Sequence, residues 1–413
     1  MEKEDKNLTG DTASLPKETS HQGISGHSPV SIGNNFHHPQ YLRNQKEDNK
    51  VSVVKCSTYK NEEVRKALES SLKNIDFQFK HGMKVLIKPN LLSATLPEKA
   101  ITTNPIIIEE LCKILKKRNA QIWIGDSSAF DTDQALETCG MNKLSKYAKI
   151  INLEGEKKKD FNLGKNTHRI PLPKILFNVD LVINVAKMKT HGLTLASLCV
   201  KNLYGCIPGR LKEQLHRILK TPKDFSKLLL SLEETINPHL NIIDGIVGIE
   251  GDGPAASGTI IKPGLILAGR KAPAVDIIAT EIMGFSKNSV KTNKLSKISR
   301  KEIEVIGNAK DIRLKFKKPS TYTIPIFMAL MKVFPQAKIE FNKELCKRCH
   351  LCETKCPVKA ITLNTDDGFP KCNWKKCIRC LCCIEVCPHK SVYLKEHWTK
   401  ELLMKVGKKV IKY

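Results

Sequence analysis

No stretch of this chain approaches the ~18 consecutive apolar residues of a membrane-spanning helix, although 41% of its 413 residues are hydrophobic. No transmembrane segment is therefore expected. Arginine is scarce, supplying 11 of the 69 basic side chains. That argues against sequence-specific nucleic-acid readout, which favours the arginine fork. No apolar segment follows Met1-Glu2-Lys3-Glu4-Asp5, so no secretory signal peptide is expected, and the acidic residues at Glu2, Glu4, Asp5 and Asp11 argue against a transit peptide. The chain also lacks a Rossmann fingerprint, a phosphate-binding P-loop, a nucleophile elbow and a zinc-protease motif.

Cysteine, in contrast, is abundant and ordered. Of 15 cysteines, eight fall in two runs. The first is Cys346, Cys349, Cys352 and Cys356-Pro357; the second is Cys377, Cys380, Cys383 and Cys387-Pro388. Both read C-x-x-C-x-x-C-x-x-x-C-P, and the second repeats the first 31 residues later. The repeat extends beyond sulfur: Arg348 matches Arg379, Lys359 matches Lys390, Ile361 matches Val392 and Leu363 matches Leu394. A cube of iron and sulfide needs four converging thiolates. Two-residue gaps let three of them wrap one cube, and the fourth reaches the other. The spacing thus assigns Cys346, Cys349, Cys352 and Cys387 to one [4Fe–4S] cluster, and Cys377, Cys380, Cys383 and Cys356 to a second. Zinc also uses C-x-x-C pairs, but it does not call for two identical four-cysteine runs ending in proline. The stretch resembles the two-cluster ferredoxin module, so two [4Fe–4S] clusters are the expected cofactors.

The seven remaining cysteines (Cys56, Cys112, Cys139, Cys199, Cys206, Cys372 and Cys382) are scattered and odd in number, with no disulfide framework. Cluster ligands are reduced thiolates, so a reducing compartment, the cytoplasm, is expected. Cys372 and Cys382 are read as non-ligands. Cys199 and Cys206 flank a candidate pocket, where a reactive thiol competes with inert packing.

The formal net charge of +27 is unevenly spread. Residues 1–50 carry 6 basic and 7 acidic side chains, residues 287–340 carry 13 and 4, and residues 341–413 carry 16 and 7. A basic face of this kind suits an acidic redox partner, an anionic surface or simple solubility.

Residues 1–50 are polar and aperiodic and read as a disordered tail; His21, His27, His37 and His38 fall there as solvated side chains. From Val51 the pattern changes. Short apolar runs at Val51–Val54, Lys84–Lys88, Gln121–Ile124, Asp180–Val185, Asn241–Ile249 and Gly264–Ala268 predict strands. Helical periodicity marks 61–79, 105–118, 131–139 and 274–283. This alternation predicts an α/β domain over 51–286, with a mainly parallel sheet and helices on both faces. A basic connector with an apolar helix is expected over 287–337, a small ferredoxin-like α+β module over 338–395, and a basic C-terminal helix over 396–413.

In such sheets ligands sit beyond the carboxyl ends of the strands, and the polar residues fall there. Lys88 and Asn90 follow one strand and Asp126 another. Lys187, Lys189 and His191 form a cationic cluster expected as a turn after the strand ending near Val185, Asp244 interrupts or ends a further strand, and Gly251 and Gly253 fall in a turn shortly after it. His191 is the candidate general acid or base, with Lys187, Lys189, Asp126 and Asp244 as further catalytic candidates. Lys88, Asn90, Gly251 and Gly253 are candidate contacts to an anion. Each has a plainer reading: a satisfied histidine, surface lysines, helix-capping aspartates, a tight glycine turn. The stretches IKPNLL, GDSS, INVAKMKTHGLT, CVKNLYGC and DGIVGIEGDGP resemble the domain of unknown function family 362. That resemblance implies an α/β fold in the company of iron–sulfur clusters and supplies no reaction.

These features predict an iron–sulfur protein that relays single electrons for an oxidoreductase reaction at the strand ends. Its expected partners are an electron donor or acceptor protein and a small anionic substrate. Two rivals remain: a redox-sensing binding or regulatory protein, and a non-redox enzyme with structural clusters.

Overall fold

The computed structural model describes residues 49–128, 131–163, 168–219, 221–322 and 338–395, all within one compact unit, His38–Tyr413. The expected tail (apart from its last two residues), the apolar helix around 324–334 and the basic helix over 396–413 lie outside the described residues.

The first elements alternate as expected: β1 (Lys50–Lys55), α1 (Asn61–Asn74), β2 (Lys84–Lys88), α2 (Pro105–Lys116), β3 (Gln121–Asp126), α3 (Thr132–Thr138) and β4 (Lys149–Asn152). Asn104 accepts from Ile106 N at 3.0 Å and caps α2, with Pro105 in its first turn. A hairpin, β5 (Lys158–Leu163) and β6 (His168–Pro173), and a short α4 (Ile175–Asn178) lead to β7 (Leu181–His191). Next come β8 (Leu195–Ser197), α5 (Cys199–Asn202), α6 (Gly209–Ile218), α7 (Pro222–Ile236), β9 (Leu240–Gly251), β10 (Gly258–Ile261), β11 (Leu265–Gly269), α8 (Ala272–Ile282), α9 (Lys291–Leu295) and β12 (Glu304–Ile306).

The strands form one large sheet in the order β12-β1-β11-β9-β7-β2-β3-β4, with β10 beside β9 and β8 beside β7. From β9 to β4 every neighbour is parallel; β11 is antiparallel to both β9 and β1. The fold is thus α/β with a mainly parallel sheet. One apolar layer packs residues of α1, α2 and α3 against the sheet, and the opposite layer packs those of α7 and α8. The sheet also takes in β12, parallel to β1 and beyond the boundary expected at 286. Phe316 is buried in the same core, so the lysine-rich stretch after 286 in part edges the domain. Its three-residue strand is too short to show an alternating pattern.

The C-terminal module comprises β13 (Lys338–Phe341), α10 (Leu351–Thr354), β14 (Ile361–Leu363), β15 (Pro370–Cys372), α11 (Cys382–Val386) and β16 (Val392–Lys395). Two antiparallel ribbons, β13 with β16 and β14 with β15, bracket the cysteine loops. The internal repeat is written in the backbone. Arg348, His350 and Lys359 have positive φ, and so do Arg379, Leu381 and Lys390, each 31 residues on. Non-glycine residues in that region are uncommon, so the matched sextet shows two copies of one loop fold.

Candidate functional site

The carboxyl ends of β2, β3, β7 and β9 share one edge of the sheet, and buried charge collects there. Lys88 Nζ lies 2.8 Å from Asp126 Oδ1, and both are buried. Asp126 also accepts from the backbone N–H of Leu91 at 2.8 Å and of Ser127 at 2.9 Å. Lys187 Nζ donates to Asp244 Oδ2 at 2.9 Å and to the Tyr59 hydroxyl at 2.7 Å, while that hydroxyl donates to Asp244 Oδ1 at 2.8 Å. Burial pulls the Lys187 pKa down, opposed by Asp244.

Lys187, Lys189 and His191 are not in a turn. They lie on β7, whose eleven residues are all buried, and alternate spacing places them on one face. The strand continues past Val185 because β9 bulges: Lys187 pairs with Asp244, yet Lys189 pairs with Ile249. The extra residues of β9 include Gly245 and Gly248, where a Cβ would press on Met188. Lysines inside a buried strand defeat a reading based on apolar runs.

An amide ladder runs beneath the strand ends. Lys189 Nζ donates to Asn90 Oδ1 and to the carbonyl of Ile101, both at 2.7 Å. Asn90 donates to Asn202 at 3.0 Å, Asn202 to Asn184 at 2.8 Å and Asn184 to Asn241 at 2.8 Å. His191 Nδ1 accepts the N–H of Leu193 at 3.0 Å and of Thr194 at 3.4 Å. Burial, followed by the nearby lysine charge of Lys201, holds His191 far below its usual pKa. Because Nδ1 accepts these two amides, the neutral tautomer compatible with the geometry carries its proton on Nε2.

Above this edge sits a cavity of about 110 Å³. One wall is the α/β domain, with Asn90, Asp126, Lys189, Lys201, Tyr204 and Lys212. The other is the cysteine module, with Lys355, Cys382, Glu385 and Val386. Glu385 Oε1 faces His191 Nε2 at 3.2 Å without hydrogen-bond alignment, and Lys355 pairs with Glu213 at 3.2 Å. Leu381 packs on Gly192, where a Cβ would fall 2.6 Å from its methyl group. Lys212 donates to Ser127 Oγ at 3.0 Å, to the Ser128 carbonyl at 3.2 Å and to the Ser127 carbonyl. Burial lowers its pKa to about 8, partly offset by Asp126.

Among the candidates, the cavity gathers Asn90, Asp126 and Lys189, and His191 stands behind Glu385. It does not gather Lys88, Lys187, Asp244, Gly251 or Gly253. Gly253 instead packs on the backbone of Thr190, where any Cβ would collide with the carbonyl oxygen. Lys201, Lys212, Lys355 and Glu385 were not singled out as site residues. Only Lys201 carried a signal, inside CVKNLYGC. Burial pushes the Cys206 thiol up to about 12 and raises Cys199 well above its usual range, which is the inert reading of both.

In the module, Cys346, Cys349, Cys352 and Cys387 line one cavity. Cys356, Cys377, Cys380 and Cys383 line another, with Cys372 beside them. The Ala360 N–H donates to Cys356 Sγ at 3.1 Å and the Arg379 N–H to Cys377 Sγ at 3.4 Å. Among the described residues, no three His, Cys, Asp or Glu are placed to hold a single metal ion. Thiolate donors around cavities with amides aimed at sulfur fit an iron–sulfur cube.

The fold and the cysteine loops define an iron–sulfur protein with a ferredoxin-type module: residues 338–388 match the 4Fe-4S dicluster domain. Residues 85–281 match the family described as Domain of unknown function (DUF362), so a region similar to that family and a dicluster module lie in one chain. It is 28% identical over 249 residues to Thylakoid-associated protein sll1697 of Synechocystis sp., covering 59% of this chain and 77% of that protein. The lactate racemase apoprotein structure from Thermoanaerobacterium thermosaccharolyticum superposes with a TM-score of 0.36 at 17% identity. The match covers 56% of this chain and 58% of that one. No described helix is long and apolar enough to cross a membrane.

Proposed function

We propose that this protein is a two-cluster electron relay serving an oxidoreductase reaction in the junction cavity. Cys346, Cys349, Cys352 and Cys387 would hold one [4Fe–4S] cluster, and Cys356, Cys377, Cys380 and Cys383 the other. When bound, each cluster supplies or accepts one electron. One observation carries this reading: a single cavity is lined both by strand-end residues Asn90, Asp126 and Lys189 and by Cys382 and Glu385 of the second cysteine loop.

The chain's own groups suit that role. Lys189, Lys201 and Lys212 present positive charge to a small anionic substrate. Lys212, with a pKa near 8, can hold or release a proton close to neutrality. Apolar walls at Leu91, Leu92 and Val386 limit water. The exposed Cys349 loop, with Lys347 and Arg348 beside it, offers an acidic carrier protein an approach. Thiolate ligands require a reducing compartment, so cytoplasmic residence is part of the proposal.

The test is iron and sulfide analysis of anaerobically purified protein, with EPR before and after dithionite. The expected result is about eight irons and eight sulfides per chain, with interacting reduced-cluster signals. Cys349→Ser and Cys383→Ser should each lower the iron content. Zinc in place of iron, or ligand variants with unchanged electron uptake, would sink the relay.

A further inference from the structure

We infer that the junction cavity binds a compact organic dianion, a dicarboxylate or a phosphate monoester. This deepens the reading above and rests on its premise that the junction cavity is the substrate site.

The inference comes from charge. Lysines and carboxylates crowd this junction, and half of them are paired. Lys88 is matched by Asp126 at 2.8 Å and Lys355 by Glu213 at 3.2 Å. Three cavity lysines are not matched. Lys189 meets only neutral oxygens, of Asn90 and Ile101. Lys212 meets only those of Ser127 and Ser128. Lys201 lies over the rings of Tyr204 and Phe225, 5.8 and 6.0 Å from their centroids. Among the described residues, no carboxylate stands within ion-pair distance of any of the three. Against them the cavity wall holds one unpaired carboxylate, Glu385, whose Oε1 is buried without a hydrogen bond. Three lysines against one unpaired carboxylate give the wall a surplus of basic groups, to which a ligand with two acidic groups is complementary.

Buried charge is tolerated only when compensated. Burial already draws Lys189, Lys201 and Lys212 toward the neutral form, and a bound dianion would reverse that pull by supplying the missing counter-charge. The remaining wall explains why the ligand is organic. Leu91, Leu92, Pro254 and Val386 give one side an apolar surface that a bare inorganic ion would leave unused. The volume, about 110 Å³, equals the liquid share of roughly four waters, which suits a short diacid or a small phosphate ester.

The test is calorimetry on anaerobically purified full-length protein whose iron, sulfide and EPR signal are measured on the same sample. The probes are malonate, methyl phosphate, acetate, neutral malonamide and inorganic phosphate. Malonate or methyl phosphate should bind at least about tenfold more tightly than acetate or malonamide. The better of the two identifies the source of the dianion. Lys201→Met should weaken that binding about tenfold or more, and Lys201→Arg should restore most of it, with iron content unchanged in both. The inference falls if malonate and methyl phosphate bind no better than acetate to iron-replete protein. It falls equally if Lys201→Met binds as the parent does, or if inorganic phosphate binds and neither organic dianion does. Dianion binding by a chain that holds zinc instead of iron would uphold the inference and remove the relay. Iron-replete protein that takes up electrons yet binds neither dianion would do the reverse.

Discussion

His191 Nε2 stands 3.2 Å from Glu385 Oε1, and the two side chains belong to different modules. The imidazole is fully buried at the end of β7, and the carboxylate projects from the helix that carries Cys383. Burial raises the Glu385 pKa, while Lys201 and Lys189 pull it down. His191→Ala removes that neighbour and leaves the Leu193 and Thr194 amides without the Nδ1 that accepts from them. The expected cost is about 1–3 kcal/mol, read as a lower thermal midpoint together with faster amide exchange over 381–386. Unchanged exchange in that segment would show that the contact does not hold the junction.

The Lys187–Asp244 pair lies opposite in register on two parallel strands and is closed by Tyr59. Removing one partner strands a buried charge. Lys187→Met should destabilise by about 3–5 kcal/mol, whereas Lys187→Met with Asp244→Leu should recover much of that loss. Equilibrium urea unfolding of the three proteins checks this. A double variant no better than the single would assign the pair a role other than mutual compensation.

At Gly205 the chain passes close against the buried Lys88–Asp126 pair. A Cβ there would overlap Asp126 Oδ1 and fall 2.7 Å from Lys88 Nζ. Neither group has room to retreat, because Asp126 is fixed by two backbone amides. Gly205→Ala should cost about 1–3 kcal/mol by overpacking and should also weaken anion binding, since Gly205 lines the cavity. A thermal midpoint equal to that of the parent would refute the close approach.

His216 gives the stability profile an acid limb. It stacks on Phe225 at 4.7 Å, and burial, then Lys201, lowers its pKa to about 3. The unfolded chain binds this proton first. Its contribution is therefore present above the ordinary histidine pKa of about 6.5 and is lost as pH falls toward the folded value. Asp276 acts oppositely: burial raises its pKa to about 7, so its contribution is present in acid and is lost as pH rises through that value. His216→Phe should flatten the loss of stability between about pH 6.5 and about pH 3, measured as the shift in thermal midpoint. An unchanged acid limb would remove His216 from the account.

Much of this architecture was legible from residue types alone. The strand at Lys84–Lys88, the cap at Asn104 and the buried run from Leu181 to Val185 all follow from apolar patterning and capping chemistry. The two cysteine runs fall where the module's cavities lie, with four cysteines lining the first and five, Cys372 included, lining the second. The continuation of β7 through Lys187, Lys189 and His191 was hidden, since lysine ordinarily marks solvent. Only partners distant in sequence, Asp244 and Asn90, make those burials tolerable. The junction cavity was hidden for a related reason. Lys355 and Glu385 lie within the cysteine runs, and nothing local indicates that they face Glu213 and His191.

Each cysteine-lined cavity borrows a wall from the opposite half of the repeat: Cys387 completes the first and Cys356 the second. The halves look like copies, yet neither is a spare. Under the proposed cluster assignment the two sites are built by one segment and stand or fall together, so a cut between the halves would disable both.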